Sequence, residues 1–141
     1  MRMILRVSDV PADDLIVEAY IRTHQAAEDD DPDAWADSAC WVLILDDPER
    51  AWSLILLLVQ RVPDDVLSCV GVGELEDFVK RHAPDFIDRI EDRARSDPRF
   101  FEALCQIWLT RGRLPAEIEE RVMRASRNSI LLLDVDPDPP E

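Results

Sequence analysis

The chain has 141 residues, and its 31 acidic against 16 basic side chains leave a net charge of −15. At 47% hydrophobic and 33% charged, with only three glycines, it excludes a disordered chain and an all-β fold dense in tight turns. An acidic surface repels nucleic-acid phosphates and anionic lipid, which need Lys/Arg neutralisation. It suits a basic protein as partner, while solubility alone also accounts for the charge.

Proline placement organises the reading. Pro11, Pro32, Pro48, Pro63, Pro84, Pro98 and Pro115 are each followed by acids or helix formers and then by an apolar-periodic stretch. Proline suits the first turn of a helix and is rejected from its interior, so all seven are read as helix starts. Asp31, Asp47 and Asp97 stand immediately before a proline, where an aspartate caps the orphan N–H groups of the first turn and meets the positive end of the dipole.

Helix one runs over residues 11–26, with Leu15, Ala19 and Arg22 on one side and Ile16, Tyr20 and Thr23 on the next. An acidic loop, Glu28-Asp29-Asp30-Asp31, leads to helix two over 32–45, with Trp35, Ala39, Val42 and Leu43 at helical spacing. Helix three, 48–61, is apolar nearly all round from Trp52 to Val59 and reads as the central helix. Its apolar run is about half the length a bilayer span needs. A short helix four over 63–69 ends at Gly71-Val72-Gly73, where two glycines permit a sharp change of direction.

Helix five covers 74–82, with Leu75, Phe78, Val79 and His82 on one face. Helix six covers 84–95, with Phe86, Ile87, Ile90 and Ala94 inward. Helix seven covers 98–109, with Phe101, Leu104, Cys105 and Trp108 inward. Helix eight covers 115–127, with Ile118, Val122 and Ala125 inward. Ile130–Leu133 docks on the body, as an extended segment or one more turn, or caps a second copy. Asp134–Glu141 is an acidic, proline-rich tail that frays. The expectation is an all-α fold in one domain over 1–133, with about eight short helices in a compact orthogonal bundle or a small HEAT-like α-solenoid. An echo 50 residues apart, Asp47-Pro48 with Trp52 and Asp97-Pro98 with Phe101, suits the solenoid.

Chemistry is sparse. There is no GxSxG, Walker loop or HExxH. Gly71 and Gly73 precede a helix, but Glu74 and Glu76 would repel a phosphate there. Cys40, Cys69 and Cys105 are odd in number and widely spaced, so they read as buried structural thiols in a reducing cytoplasm. His24 and His82 both fall at predicted helix C-termini, where a cationic imidazole suits the dipole. Asp85, Asp88 and Asp92, interleaved with Arg89, Arg93 and Arg95, describe a solvated helix face. Trp35, Trp41, Trp52 and Trp108 sit at apolar helical spacing and read as core, with Trp35 the exception because it adjoins the acidic loop. Neither a metal site nor a cofactor is expected. Met1–Val7 is too short and lacks a cleavage site for a signal peptide.

From Trp41 to Trp108 the chain resembles an uncharacterised family of small acidic bacterial proteins. The likeness is carried by Asp47-Pro48-Glu49-Arg50-Ala51-Trp52, Gly71-Val72-Gly73-Glu74-Leu75-Glu76, Phe86-Ile87-Asp88-Arg89-Ile90-Glu91 and Asp97-Pro98-Arg99-Phe100. Where that family often has proline before the leucine, this chain has Glu74. The resemblance implies a helical fold and a bacterial setting, and it brings no activity.

Three functions compete. The first is a non-catalytic cytoplasmic protein-binding module, in concrete form an immunity or antitoxin-like protein neutralising a basic partner through Asp29, Asp30, Asp31 and Trp35. The second is an acidic DNA mimic, which the use of many acids as helix caps disfavours. The third is an enzyme built on the loop around Gly71, Gly73, Glu74, Glu76 and His82.

Overall fold

The two Asp-Pro steps do what their chemistry requires. Asp47 Oδ1 accepts the Arg50 N–H at 3.2 Å, and Asp97 Oδ1 accepts those of Arg99 and Phe100 at 3.1 and 3.3 Å. Each cap places its proline in the first turn of the helix that follows, where the missing N–H has no intrahelical acceptor anyway. The computed structural model describes residues 6–26 and 32–134. The chain divides into two compact units, Met1–Val70 and Gly71–Glu141.

The first unit opens with a short 3₁₀ turn, Val7–Asp9, and contains α1 (Asp13–Gln25), α2 (Trp35–Asp46), α3 (Pro48–Arg61) and α4 (Asp64–Val70). Its core is built from Ile16, Val17 and Tyr20 of α1, Leu43 and Ile44 of α2, and Leu54, Ile55, Leu58 and Val59 of α3. In α3 the buried residues Ala51, Trp52, Ile55, Leu58 and Val59 recur at helical spacing. Leu56 and Leu57 are half-buried and Ser53 is exposed, so α3 is amphipathic rather than buried all round. Arginine clamps hold α1 in place. Arg50 of α3 bonds Asp13 Oδ1 through Nη2 at 3.1 Å and the Pro11 carbonyl at 2.6 Å. Arg61 meets Asp14 at 2.6 Å.

In the second unit the chain begins with a π-helical stretch, Gly71–Leu75, and continues through α5 (Glu76–Ser96), α6 (Pro98–Leu104), β1 (Trp108–Thr110), α7 (Ala116–Ala125) and β2 (Leu131–Leu133). The strands pair in parallel, Trp108 opposite Leu131 and Thr110 opposite Leu133. The all-helical expectation therefore holds broadly, with a small sheet added. Helical assignment is unbroken from Asp64 to Ser96. Counting that run once, the described residues hold six helices rather than eight.

Three boundaries differ from expectation for identifiable reasons. Pro84 lies inside α5, where it removes the bond to the Lys80 carbonyl at a cost of about 3 kcal/mol. The buried stripe Phe78, Val79, Ala83, Phe86, Ile87 and Ile90 runs through it without losing phase. Each large side chain there contributes about 1.5–3 kcal/mol on burial, so tertiary packing outweighs the proline. His82 accordingly sits in mid-helix, not at a C-terminus. Gly71 and Gly73 do not turn the chain, since Gly112 is the only described glycine with positive φ. A Cβ on Gly71 would lie 2.5 Å from the Ala103 carbonyl oxygen, so the glycine is there to let the end of α6 approach. Finally, α6 stops at Leu104, and Trp108 joins a strand instead of a helix face.

The end of α7 carries a second cost. The Asn128 N–H bonds the Met123 carbonyl at 2.8 Å and the Arg127 N–H that of Arg124 at 3.0 Å, the paired bonds of a Schellman cap. Glycine usually fills the left-handed position of that cap. Here Arg127 adopts φ 54° and Asn128 φ 60°, and the left-handed arginine costs about 1–2 kcal/mol.

The two glycines of the π-helical stretch give contrasting expectations. Gly71→Ala should lower stability by about 1–3 kcal/mol through overpacking against backbone. Gly73→Ala, with nothing within 4 Å of its Cβ, should be neutral or stabilising by about 0.5–1 kcal/mol. Chemical denaturation of the two variants checks the pair; equal effects would refute the close approach at Gly71.

Candidate functional site

Helix α2 buries a narrow face of small and medium residues: Ala36, Ala39, Cys40, Leu43 and Ile44. With that side inward, the opposite side carries Asp37, Trp41 and Leu45 at successive i,i+4 positions, with Ser38 and Asp46 flanking them. Trp41 and Leu45 are each 40% exposed, one turn apart. Aromatic and large apolar side chains are enriched at the centre of protein–protein interfaces, with polar groups at the rim.

The same helix is anchored to α1 by polar contacts. His24 Nε2 lies 2.8 Å from Asp37 Oδ1, and its ring stacks on the buried Tyr20 at 4.1 Å between centroids. Arg22 makes a two-pronged bond to Asp33, 3.0 Å on each oxygen. That fork holds the Asp33 carboxyl below the usual carboxylate range. These contacts join the start of α2 to the last turn of α1, on the helix that carries Trp41 and Leu45.

Of the partner-binding residues expected from sequence, Asp29, Asp30 and Asp31 lie outside the described residues. Trp35 opens α2 and is half-buried. The N-cap of α2 is Ala34, and Pro32 falls in the turn before it. Trp41 was expected in the core and is instead on the surface, as is Trp108 at 48% exposure; only Trp52 is fully buried.

The residues expected around the glycine loop scatter. Gly71, Gly73 and the buried Glu74 belong to the π-helical stretch. Glu76 opens α5, where Oε1 accepts the Trp108 N–H at 2.7 Å and Oε2 pairs with Lys80 at 3.2 Å. In that role it covers the outward edge of β1, away from β2. His82 lies between Phe78 and Phe86, with centroids at 5.1 and 6.3 Å. Glu76 and His82 are six residues apart on one helix and face different sides, so no acid–base pair forms between them.

The solvated charges expected on the former helix six are in fact organised. Arg121 of α7 reaches α5, donating from Nε to Glu91 Oε2 at 3.0 Å and from Nη2 to Asp88 Oδ1 at 2.7 Å. The guanidinium pulls the Glu91 carboxyl below its ordinary range. Arg89 stands over Phe86 at 4.6 Å, and Arg95 pairs with Asp92. Asp77 behaves oppositely: desolvation, then the neighbouring Glu76 charge, raises its carboxyl.

The sequence profile of a family of unknown function, DUF6869, matches residues 23–130. The chain belongs to this family. The match extends the likeness seen over 41–108 and takes in α2, α3, α5, α6 and α7 whole. No curated protein and no solved structure matches the chain. Within the DUF6869 region no described helix is long and apolar enough to cross a membrane. Trp41, Leu45, Arg121 and Arg127 all fall inside it.

Two acids of this DUF6869 chain should respond to pH with opposite sign. Glu91 is depressed in the fold, so its contribution is present above the ordinary value of 4.5 and fades as pH falls through the folded value. Arg121→Met should therefore lower the melting temperature at neutral pH, by an amount that shrinks on acidification below that value. Asp77 is raised, so its ionisation opposes folding as pH rises. Asp77→Asn should raise the melting temperature at neutral pH and leave it unchanged near pH 3.8, the ordinary aspartate value. Thermal melts across pH test both.

Proposed function

We propose that the protein is a non-catalytic interaction module that binds a basic protein through the outer face of α2. The observation that carries this reading is the exposed pair Trp41 and Leu45, one turn apart, between Asp37 and Asp46. A large aromatic left half out of the core supplies the contact area of a binding hot spot. Acids around it supply steering and discrimination.

The charge of the surrounding unit supports the same direction. Residues 1–70 carry 15 acids against 5 bases. Three of those bases, Arg22, Arg50 and Arg61, are taken up by internal ion pairs. A basic partner approaching this unit meets little opposing charge. The concrete form is an immunity- or antitoxin-like protein that neutralises a basic protein in a bacterial cytoplasm.

The test is capture of binding proteins from extracts of the native host on the immobilised wild type, Trp41→Ala and Asp37→Lys. A basic protein held by the wild type, released by salt and lost from both variants is the expected outcome. Truncating a hot-spot tryptophan should weaken affinity by about 30-fold, the equivalent of about 2 kcal/mol. Equal capture by Trp41→Ala, or retention insensitive to salt, would refute the α2 face as the binding surface.

A further inference from the structure

We infer that the pocket between α5, α6 and the end of α7 binds a small organic anion, a single carboxylate on a compact apolar body. This site lies in the second unit and does not rest on the α2 surface.

The pocket encloses about 170 Å³. That is below the roughly 300 Å³ at which drug-sized sites begin, and equals the volume of about five or six waters. A small organic acid suits it and a nucleotide does not. Phe101, Ala94 and Ala125 give it an apolar lining, and three arginines, Arg95, Arg124 and Arg127, also line it. Three cations around one hollow stand out in a chain of net charge −15.

The carboxylates nearby are already engaged. Arg95 pairs with Asp92, and Arg124 Nη2 lies 3.1 Å from Glu120 Oε1. Glu91, the one acid lining the pocket, is held by Arg121. Arg127 differs. Among the described residues it has no carboxylate partner, and its guanidinium stands over the Phe101 ring, 5.1 Å from the centroid.

The backbone singles out the same residue. Arg127 holds the left-handed position of the α7 cap, with φ 54°, where glycine would relieve the strain. The helix end does not need its charge: the cap's own N–H groups serve the last carbonyls, and Arg124 already supplies a cation to the final turn. A guanidinium without a carboxylate partner among the described residues, kept at a strained position beside an aromatic ring, is arranged to receive a planar anion, by a forked bond to the carboxylate and stacking of the apolar body.

The probe is benzoate, with its neutral isostere benzamide and inorganic phosphate as controls, followed by calorimetry and by the arginine Nε–Hε resonances of the full chain. The wild type should bind benzoate saturably, one to one, with Arg127 among the perturbed resonances. Benzamide should not bind, and phosphate should bind at least about tenfold more weakly. Arg127→Gly should keep or raise the melting temperature, because the glycine fits the backbone, and should weaken benzoate binding by about tenfold or more, the loss of a charged hydrogen-bonded contact. Arg127→Lys, which keeps charge without the planar fork, should fall between. No benzoate binding by the wild type, wild-type affinity in Arg127→Gly, or phosphate binding as tight as benzoate would each overturn the proposal. A loss of folding in Arg127→Gly would contradict the cap argument, and Arg127→Lys then carries the binding test.

Discussion

The buried stripe of α5 is the surface on which the second unit is assembled. Phe78, Val79, Ala83, Phe86, Ile87 and Ile90 present one apolar face along the middle of the helix, and α6, α7 and β1 all pack against this helix. The other features of the unit follow from it. Gly71 lacks a side chain because the end of α6 comes too close for one. Glu76 reaches the Trp108 N–H because β1 runs beside the start of α5. Arg121 finds Glu91 and Asp88 because α7 packs along the far half. A proline in the middle of such a helix is tolerated because the face, not the propensity of each residue, decides that the helix forms.

Charge performs two separable tasks in this chain. Many bases act as internal staples: Arg50 and Arg61 hold the start of α1, Arg22 holds the turn before α2, and Arg121 ties α7 to α5. Partly exposed pairs of this kind are individually weak, yet they fix the angle at which one element meets the next. Pairing these bases with acids of the same chain leaves the remaining acids as the outward charge, most strongly on residues 1–70. The caps Asp47 and Asp97 belong to the folding task, so the acid count overstates the charge free for a partner.

Much of the fold was legible because its signals are local. The Asp-Pro steps at 47–48 and 97–98 marked two helix starts to the residue, and α3 spans the stretch its apolar pattern delimits. The failures arose where a local signal competed with a distant one. Pro84 reads as a start until the phase of Phe78, Ile87 and Ile90 is followed across it. Gly71 and Gly73 read as a turn because sequence does not reveal that Ala103 will press against the first of them. Trp108 and Leu131 pair across 22 intervening positions, a contact that no local period announces. On α2, Val42 shares helical spacing with Ala39 and Leu43, whereas the buried set is Ala36, Ala39, Cys40, Leu43 and Ile44. The clue was present in those small residues, which let α2 pack closely and turn Trp41 outward.

The candidate surfaces were harder to read for the same physical reason. A tryptophan at apolar spacing is core by default, and only the direction of the helix shows that Trp41 is not. An arginine after a helix is an ordinary surface cation until its backbone is seen in the left-handed region. Side chains that the fold does not need in their places are the informative ones. Trp41 stands 40% exposed on α2, and a glycine would relax the end of α7. The folding argument explains the neighbours of both, Asp37 through His24 and Arg124 through Glu120, which is why the two proposed binding readings are placed on Trp41 and Arg127.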